Sequence, residues 1–236
     1  MVATLINVAL ILAGSVLGLL FKNLISEKLS KVLTSALALC VLGIGINGMI
    51  GTNDTLCVII CMVIGTLIGE VIDIERRLES AGDLLRRKLT KGNETGRFTE
   101  GFVTASLLYC VGAMAITGSI EAGLNQNYSI LISKGVLDGV SAISFTAAMG
   151  IGAAFSSIPV LIYQGGITLL ASVVGPYLGE AVITEMSAVG GTIIVALGIN
   201  MLELGKERLK AGNMLPAIFL PIVYIPLVEW LSSMVR

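Results

Sequence analysis

Apolar residues run along this chain in stretches of about 20, separated by short polar or charged turns. A helix of ~20 apolar residues crosses the hydrocarbon core of a bilayer. No water reaches that core, so every backbone group must bond internally, which leaves helices or a closed barrel. Barrel strands alternate polar and apolar residues; these runs do not, so the pattern predicts helices. Eight spans are expected, near 3–21, 33–51, 55–73, 99–120, 129–153, 157–178, 187–204 and 213–233. The expected fold class is all-α: a polytopic transmembrane helix bundle forming one integral membrane domain over 1–236.

Details of the pattern refine the spans. The fifth and sixth are separated by placing a break near Ser156–Pro159. Gly165-Gly166, behind Tyr163-Gln164, reads as irregular backbone inside a span, which is tolerated where it is buried or lines a cavity. Pro216, Pro221 and Pro226 predict a kinked or partly unwound last span. Residues 74–91 differ from the rest: Ile74, Leu78, Leu85 and Leu89 recur at helical spacing among bases, and Gly92-Asn93 ends the run. This cytoplasmic amphipathic segment, within 74–98, either lies on the membrane face or continues the third span into solvent.

Composition agrees. Hydrophobic residues make up 55% and charged ones 13%, about half the charged share of soluble domains. The formal net charge of −1 says less than the positions of the charges. With an outside N-terminus, the loops after spans one, three and seven are cytoplasmic. They carry Lys22, Lys28 and Lys31; Arg76, Arg77, Arg86, Arg87, Lys88, Lys91 and Arg97; and Lys206, Arg208 and Lys210. Of the 15 basic residues only Lys134 and Arg236 fall elsewhere. Outside loops carry Asp54, Glu121, Glu180 and Glu185. The positive-inside rule therefore places both termini outside. No base precedes Lys22, so residues 3–21 read as a permanent span rather than a signal peptide.

An internal repeat is also expected. Gly45-Ile46-Asn47 matches Gly198-Ile199-Asn200, and Ser15-Val16-Leu17-Gly18 matches Ser172-Val173-Val174-Gly175 with a four-residue gap between the pairs. Spans 1–3 then resemble spans 6–8 in opposite orientation. Inverted repeats are characteristic of secondary transporters.

The candidate site residues are the polar groups inside the spans. Asn47 and Asn200 are the pseudo-equivalent amides, expected either to face each other or to cap helix ends. Lys134 and Asp138, at i and i+4, can pair on one helix face; ionisable groups inside a span point to function. Tyr163 and Gln164 complete the expected solute or ion pathway, and Tyr109, Thr117 and Ser119 form a polar line in span four. The four cysteines read as apolar fillers. The chain has no histidine, which removes the usual general base and commonest metal ligand. No catalytic residue, cofactor or metal is expected. The partners are the lipid bilayer and a small solute or ion, without nucleic acid; the 28 glycines also suit self-association into a homo-oligomer such as a dimer.

The segments CVGAMAITGSIEAGL (110–124), KGVLDG (134–139), YQGG (163–166) and LPA (215–217) resemble the YdfK/YqgA-like family of bacterial inner-membrane proteins, grouped under a domain of unknown function. The resemblance covers nearly the whole chain. It implies a bacterial plasma-membrane location and a transport role, and supplies no substrate and no catalytic residues. The leading expectation is a small permease with a midplane site between inverted repeats. A passive oligomeric channel and a non-transporting scaffold acting through 74–98 are the rivals.

Overall fold

The computed structural model describes residues 1–22, 27–89 and 97–234. Lys91, Gly92, Asn93 and Arg236 lie outside the described residues, as do the side chains of Lys22, Lys88 and Arg97. The described chain is helical, without a strand. Its α-helices are α1 (Val2–Lys22), α2 (Glu27–Ile50), α3 (Thr55–Ile72), α4 (Ile74–Leu89), α5 (Arg97–Cys110), α6 (Ala113–Leu124), α7 (Ser129–Met149), α8 (Ser157–Leu169), α9 (Ala171–Val174), α10 (Glu180–Met201) and α11 (Pro221–Met234). Segments of 3₁₀ helix occupy Ile151–Ser156, Gly175–Tyr177 and Ala211–Phe219.

Among the described residues six stretches are long and apolar enough to cross a membrane, or eight if each of two bent pairs counts as one span. The bent pairs are α5 with α6, at 59°, and the Ala211–Phe219 segment with α11, at 42°. The second bend falls where Pro221 removes a backbone donor, as the prolines predict. The first corrects span four, which the sequence read as continuous. Its break is Val111-Gly112, with Gly112 at φ 125°, a backbone region open to glycine and costly for other residues.

Other boundaries move as well. Span five ends at Met149, because Gly150 takes φ 89°. The sixth crossing stretch is Ile151–Leu169, beginning in 3₁₀ helix. The Gly165-Gly166 pair lies inside regular α8 instead of breaking it. Span seven starts at Glu180, where the acidic residue suits a helix N-terminus.

Close backbone approach holds the bundle. Lipid tails are as apolar as leucine, so helices associate by packing and interhelical hydrogen bonds, which favours small residues at crossings. A Cβ at Gly14 of α1 would lie 2.0 Å from Gly139 O of α7, and one at Gly18 2.4 Å from Ile143 O, so α1 and α7 run parallel in contact. In α2, Gly45 meets Gly191 and Val195, while Gly198 meets Ala38 and Leu42, so α2 and α10 are antiparallel. Gly65 and Gly69 of α3 close on Ala217 and Asn213 in the last span.

Polar locks fix the turns. Glu185 of α10, 2% exposed, accepts from Thr52 Oγ1 (2.5 Å), Asn53 N (2.8 Å) and Asp54 N (3.2 Å), and Asp54 caps α3 by accepting from Cys57 N at 3.1 Å. At the opposite end of α3, Asn213 donates to Glu70 (2.6 Å) and accepts from Glu75 N (2.7 Å), while Glu75 accepts from Gly212 N (2.6 Å). Burial lifts the Glu75 carboxyl above its ordinary range, offset in part by the Gly212 N–H.

These contacts decide how the charged segment sits. Leu78 and Leu85 of α4 join the core, and Gly82 faces Thr99 and Phe102 of α5. Thr99 Oγ1 donates to Asp83 at 2.8 Å. Leu78 thus packs on the 211–219 segment and Gly82 on α5, while Arg76, Arg77 and Arg87 are exposed; the side chain of Leu89 lies outside the described residues.

Replacing Gly14 by Val forces a Cβ onto a backbone carbonyl, and overpacking of this kind costs about 1–3 kcal/mol or more. Gly43 has open space where its Cβ would be. Thermal unfolding in detergent is expected to show a lower transition for Gly14→Val and an unchanged one for Gly43→Ala. Equal transitions would refute the α1–α7 contact.

Candidate functional site

The buried charge lies in α7. Lys134 and Asp138 are 6% and 7% exposed and form an ion pair one helical turn apart. Asp138 sits nine residues from the start of α7, about 14 Å along the helix at 1.5 Å per residue. That is near the middle of this 21-residue candidate span.

Three other helices complete the surroundings. Asn7 of α1, fully buried, donates through Nδ2 to Asp138 Oδ2 (3.0 Å) and to Gln164 Oε1 of α8 (3.1 Å). Asn7 reaches α7 because Gly135 lets the α1 backbone come close. The ring of Tyr109, in α5, lies 5.9 Å from Lys134 Nζ, within cation–π range. Tyr109 OH is 3.3 Å from Ser141 Oγ, and its ring packs edge-on against Phe145.

The polar atoms in this region are not all satisfied. Thr4 Oγ1, Asn7 Oδ1, Gln164 Nε2 and Thr168 Oγ1 are buried and lack a hydrogen-bond partner among the described residues. Thr4 lies one turn from Asn7, and Thr168 one turn from Gln164. Ser15, Ser119 and Thr146 carry further orphaned hydroxyls. Leaving a buried donor or acceptor unmade costs about 1–3 kcal/mol, so this grouping asks for a ligand, water or ion.

The other candidates fall elsewhere. Asn47 and Asn200 are not brought together; they lie towards opposite ends of the antiparallel α2–α10 pair. Asn200 closes a turn, donating to Leu209 O and accepting from Leu209 N, both at 2.8 Å. Asn47 lines an open cleft of about 630 Å³ with Thr117, Glu121, Glu180 and Ser187. At the other end of the pair, Lys31, Ser35, Glu100, Met149 and Glu203 line a cleft of about 250 Å³. Tyr163 is half-buried and packs against the main core next to Gln164. The polar line in span four is divided by the break, leaving Tyr109 near the ion pair and Thr117 at the Asn47 cleft. Cys57 and Cys61 are free and buried, with sulfurs 3.8 Å apart. Among the described residues no cluster of three or more His, Cys, Asp or Glu could hold a metal.

Sequence reasoning found the ion pair and Gln164 but missed Asn7, Thr4 and Thr168. Asn7 carried a usable signal: it is the only amide in the first apolar run, the same feature that selected Asn47. Threonines are common in such helices and carry no comparable signal.

The family described as "Protein of unknown function (DUF554)" matches residues 2–226. The chain is 32% identical over 229 residues to the "Uncharacterized membrane protein YdfK" of Bacillus subtilis (strain 168), covering 95% of this chain and 96% of that protein. It is 31% identical over 218 residues to the "Uncharacterized protein YqgA" of Escherichia coli (strain K12), covering 91% and 92%. No solved structure matches.

Removing one member of a buried ion pair strands the other charge and costs about 3–5 kcal/mol, whereas replacing both by apolar residues is often neutral. Lys134→Met and Asp138→Leu are each expected to lower the unfolding transition sharply, and the double variant to recover most of the loss. Additive losses in thermal unfolding would show that the two side chains are not paired.

Proposed function

We propose a function from one premise: the chain belongs to the DUF554 family. It is a small transporter of the bacterial plasma membrane, moving a small solute or ion through a site near the midplane. The observation that carries this reading is the buried Lys134–Asp138 pair amid orphaned polar atoms. Ionisable groups at that depth are expensive and mark substrate or ion pathways. A purely structural pair would be expected to have its surrounding hydrogen bonds complete.

Two-sided access is part of the proposal. The clefts holding Asn47 and Glu203 flank opposite ends of the α2–α10 seam, and the seam between them is a close glycine crossing. The inverted repeat of spans 1–3 and 6–8 belongs to the same reading. It is supported by the antiparallel meeting of α2 with α10, and of α3 with the 211–219 segment, at small residues. Both termini lie outside in this scheme, as the distribution of Lys and Arg favours.

Orientation is tested with reporters fused after residue 90 and residue 182, expected in the cytoplasm and the exterior respectively. The same side for both would sink the inverted arrangement. For transport, purified protein is screened for solutes that raise its unfolding transition, and each hit is followed as uptake into proteoliposomes. Uptake is expected in wild type and lost in Asp138→Asn that remains monodisperse. Fluxes no faster than in empty vesicles across the panel would defeat the transporter reading.

A further inference from the structure

We propose that Asp138 is shared between Lys134 and an alkali cation the size of sodium, whose remaining ligands come from the contact between α1 and α8. The proposal deepens the transport reading and rests on it for the cation's purpose.

The ligand chemistry is the first argument. Hard cations take oxygen ligands, and α1, α7 and α8 each bring buried side-chain oxygens to the helices that meet at Asn7. Thr4 Oγ1, Asn7 Oδ1 and Thr168 Oγ1 belong to side chains 0%, 0% and 7% exposed, and none has a partner among the described residues. Gln164 Oε1 and the Asp138 carboxylate are tied to the same group by the Asn7 amide. Thr4 also faces α8, where its methyl lies 4.0 Å from the Cβ position of Gly165. Thr4 and Asn7 are i and i+3 on α1, Gln164 and Thr168 are i and i+4 on α8, so each pair shares a helix face. Gln164 Nε2, also without a partner among the described residues, offers nothing to a cation but fits a water in the ion's shell; the threonine hydroxyls turn their lone pairs to the ion and their O–H away from it.

Charge is the second argument. The cluster holds a single carboxylate, which balances one positive charge and no more. In this structure Lys134 supplies that charge. A second cation added beside Lys134 would leave a net charge in a low-dielectric interior, which is costly. Exchange avoids the cost. Lys134 lies one turn nearer than Asp138 to the start of α7, and its long aliphatic stem can carry the ammonium towards the interface. An alkali cation then takes its place at Asp138, and the midplane charge is unchanged. Asn7 turns its Oδ1 to the ion as its Nδ2 releases the carboxylate. Tyr109, whose ring lies 5.9 Å from Lys134 Nζ, marks the face that the ammonium leaves.

The test uses the purified full chain in detergent, with sodium chloride titrated against N-methylglucamine chloride at constant ionic strength. Sodium is expected to raise the unfolding transition saturably. Thr4→Val and Thr168→Val remove one oxygen each while keeping shape and the ion pair, and should weaken the apparent affinity about tenfold. Lys134→Met removes the competitor, so sodium should bind it about tenfold more tightly than wild type and restore much of its lost stability. No sodium-specific shift in either wild type or Lys134→Met overturns the proposal. So does an equal midpoint in wild type, Thr4→Val, Thr168→Val and Asp138→Asn, which would put the ion elsewhere, and so does a response to pH alone. Sodium binding without flux of any solute or ion in proteoliposomes would end the transport reading and leave the cation site standing. Flux without sodium binding would end the cation site alone.

Discussion

The structure depends on helix backbones touching inside a solvent that does not push them together. In water, burial of apolar surface would drive these helices into a bundle. In lipid that drive is absent, and stability must come from dispersion contacts and hydrogen bonds across helices. Both need short distances. The meetings of Gly14 with Gly139 and of Gly45 with Gly191 supply them. They also explain why helices rich in leucine and isoleucine still expose most of those side chains: Leu12, Ile44, Leu67 and Val71 face outward, where lipid accepts them at no cost.

That close contact lets a charged pair be buried at all. Lys134 and Asp138 are buried, 6% and 7% exposed, so beyond each other they draw on groups from neighbouring helices. Gly135 brings Asn7 within hydrogen-bond reach of Asp138, and Gln164 follows through Asn7. A larger residue at 135 would separate α1 from α7 and take the amide away from the carboxylate. The polar site is therefore a product of the packing, and its geometry is set by small residues that carry no chemistry of their own.

Much of this was legible in the sequence, for physical reasons that differ between elements. The apolar runs mark spans because the bilayer imposes a length, and α1, α2 and α3 lie close to where they were expected. The Lys134–Asp138 pair was legible because i,i+4 spacing is local. What the sequence did not disclose depends on distant partners. The break at Val111-Gly112 has no proline to announce it, and Val111 packs against Gly190 of α10. Gly165-Gly166 carries the composition of a break yet stays helical, because neither residue needs a positive φ. Asn7 stands out in the sequence as the only amide in its apolar run, but its partners Asp138 and Gln164 appear only once α7 and α8 lie beside it. The amphipathic run at 74–91 shows that a helix has an apolar face, but not what packs on it; Leu78 meets Gly212, and Gly82 meets Thr99 and Phe102.

The bent α5–α6 pair also bears on how the protein enters the membrane. Its halves, α5 and α6, have 14 and 12 residues, about 21 and 18 Å of helix. Neither alone crosses a core ~30 Å thick. The break also leaves backbone groups that hydrocarbon cannot satisfy. At the break Val111 meets Gly190 of the later α10; along the two halves Gly101 packs on Met149 and Gly123 on Thr168, while Gly82 of the earlier α4 meets Thr99 and Phe102. The packing of α5 and α6 is thus completed in part by helices that follow them in the chain, so their final contacts cannot all form in the order of synthesis.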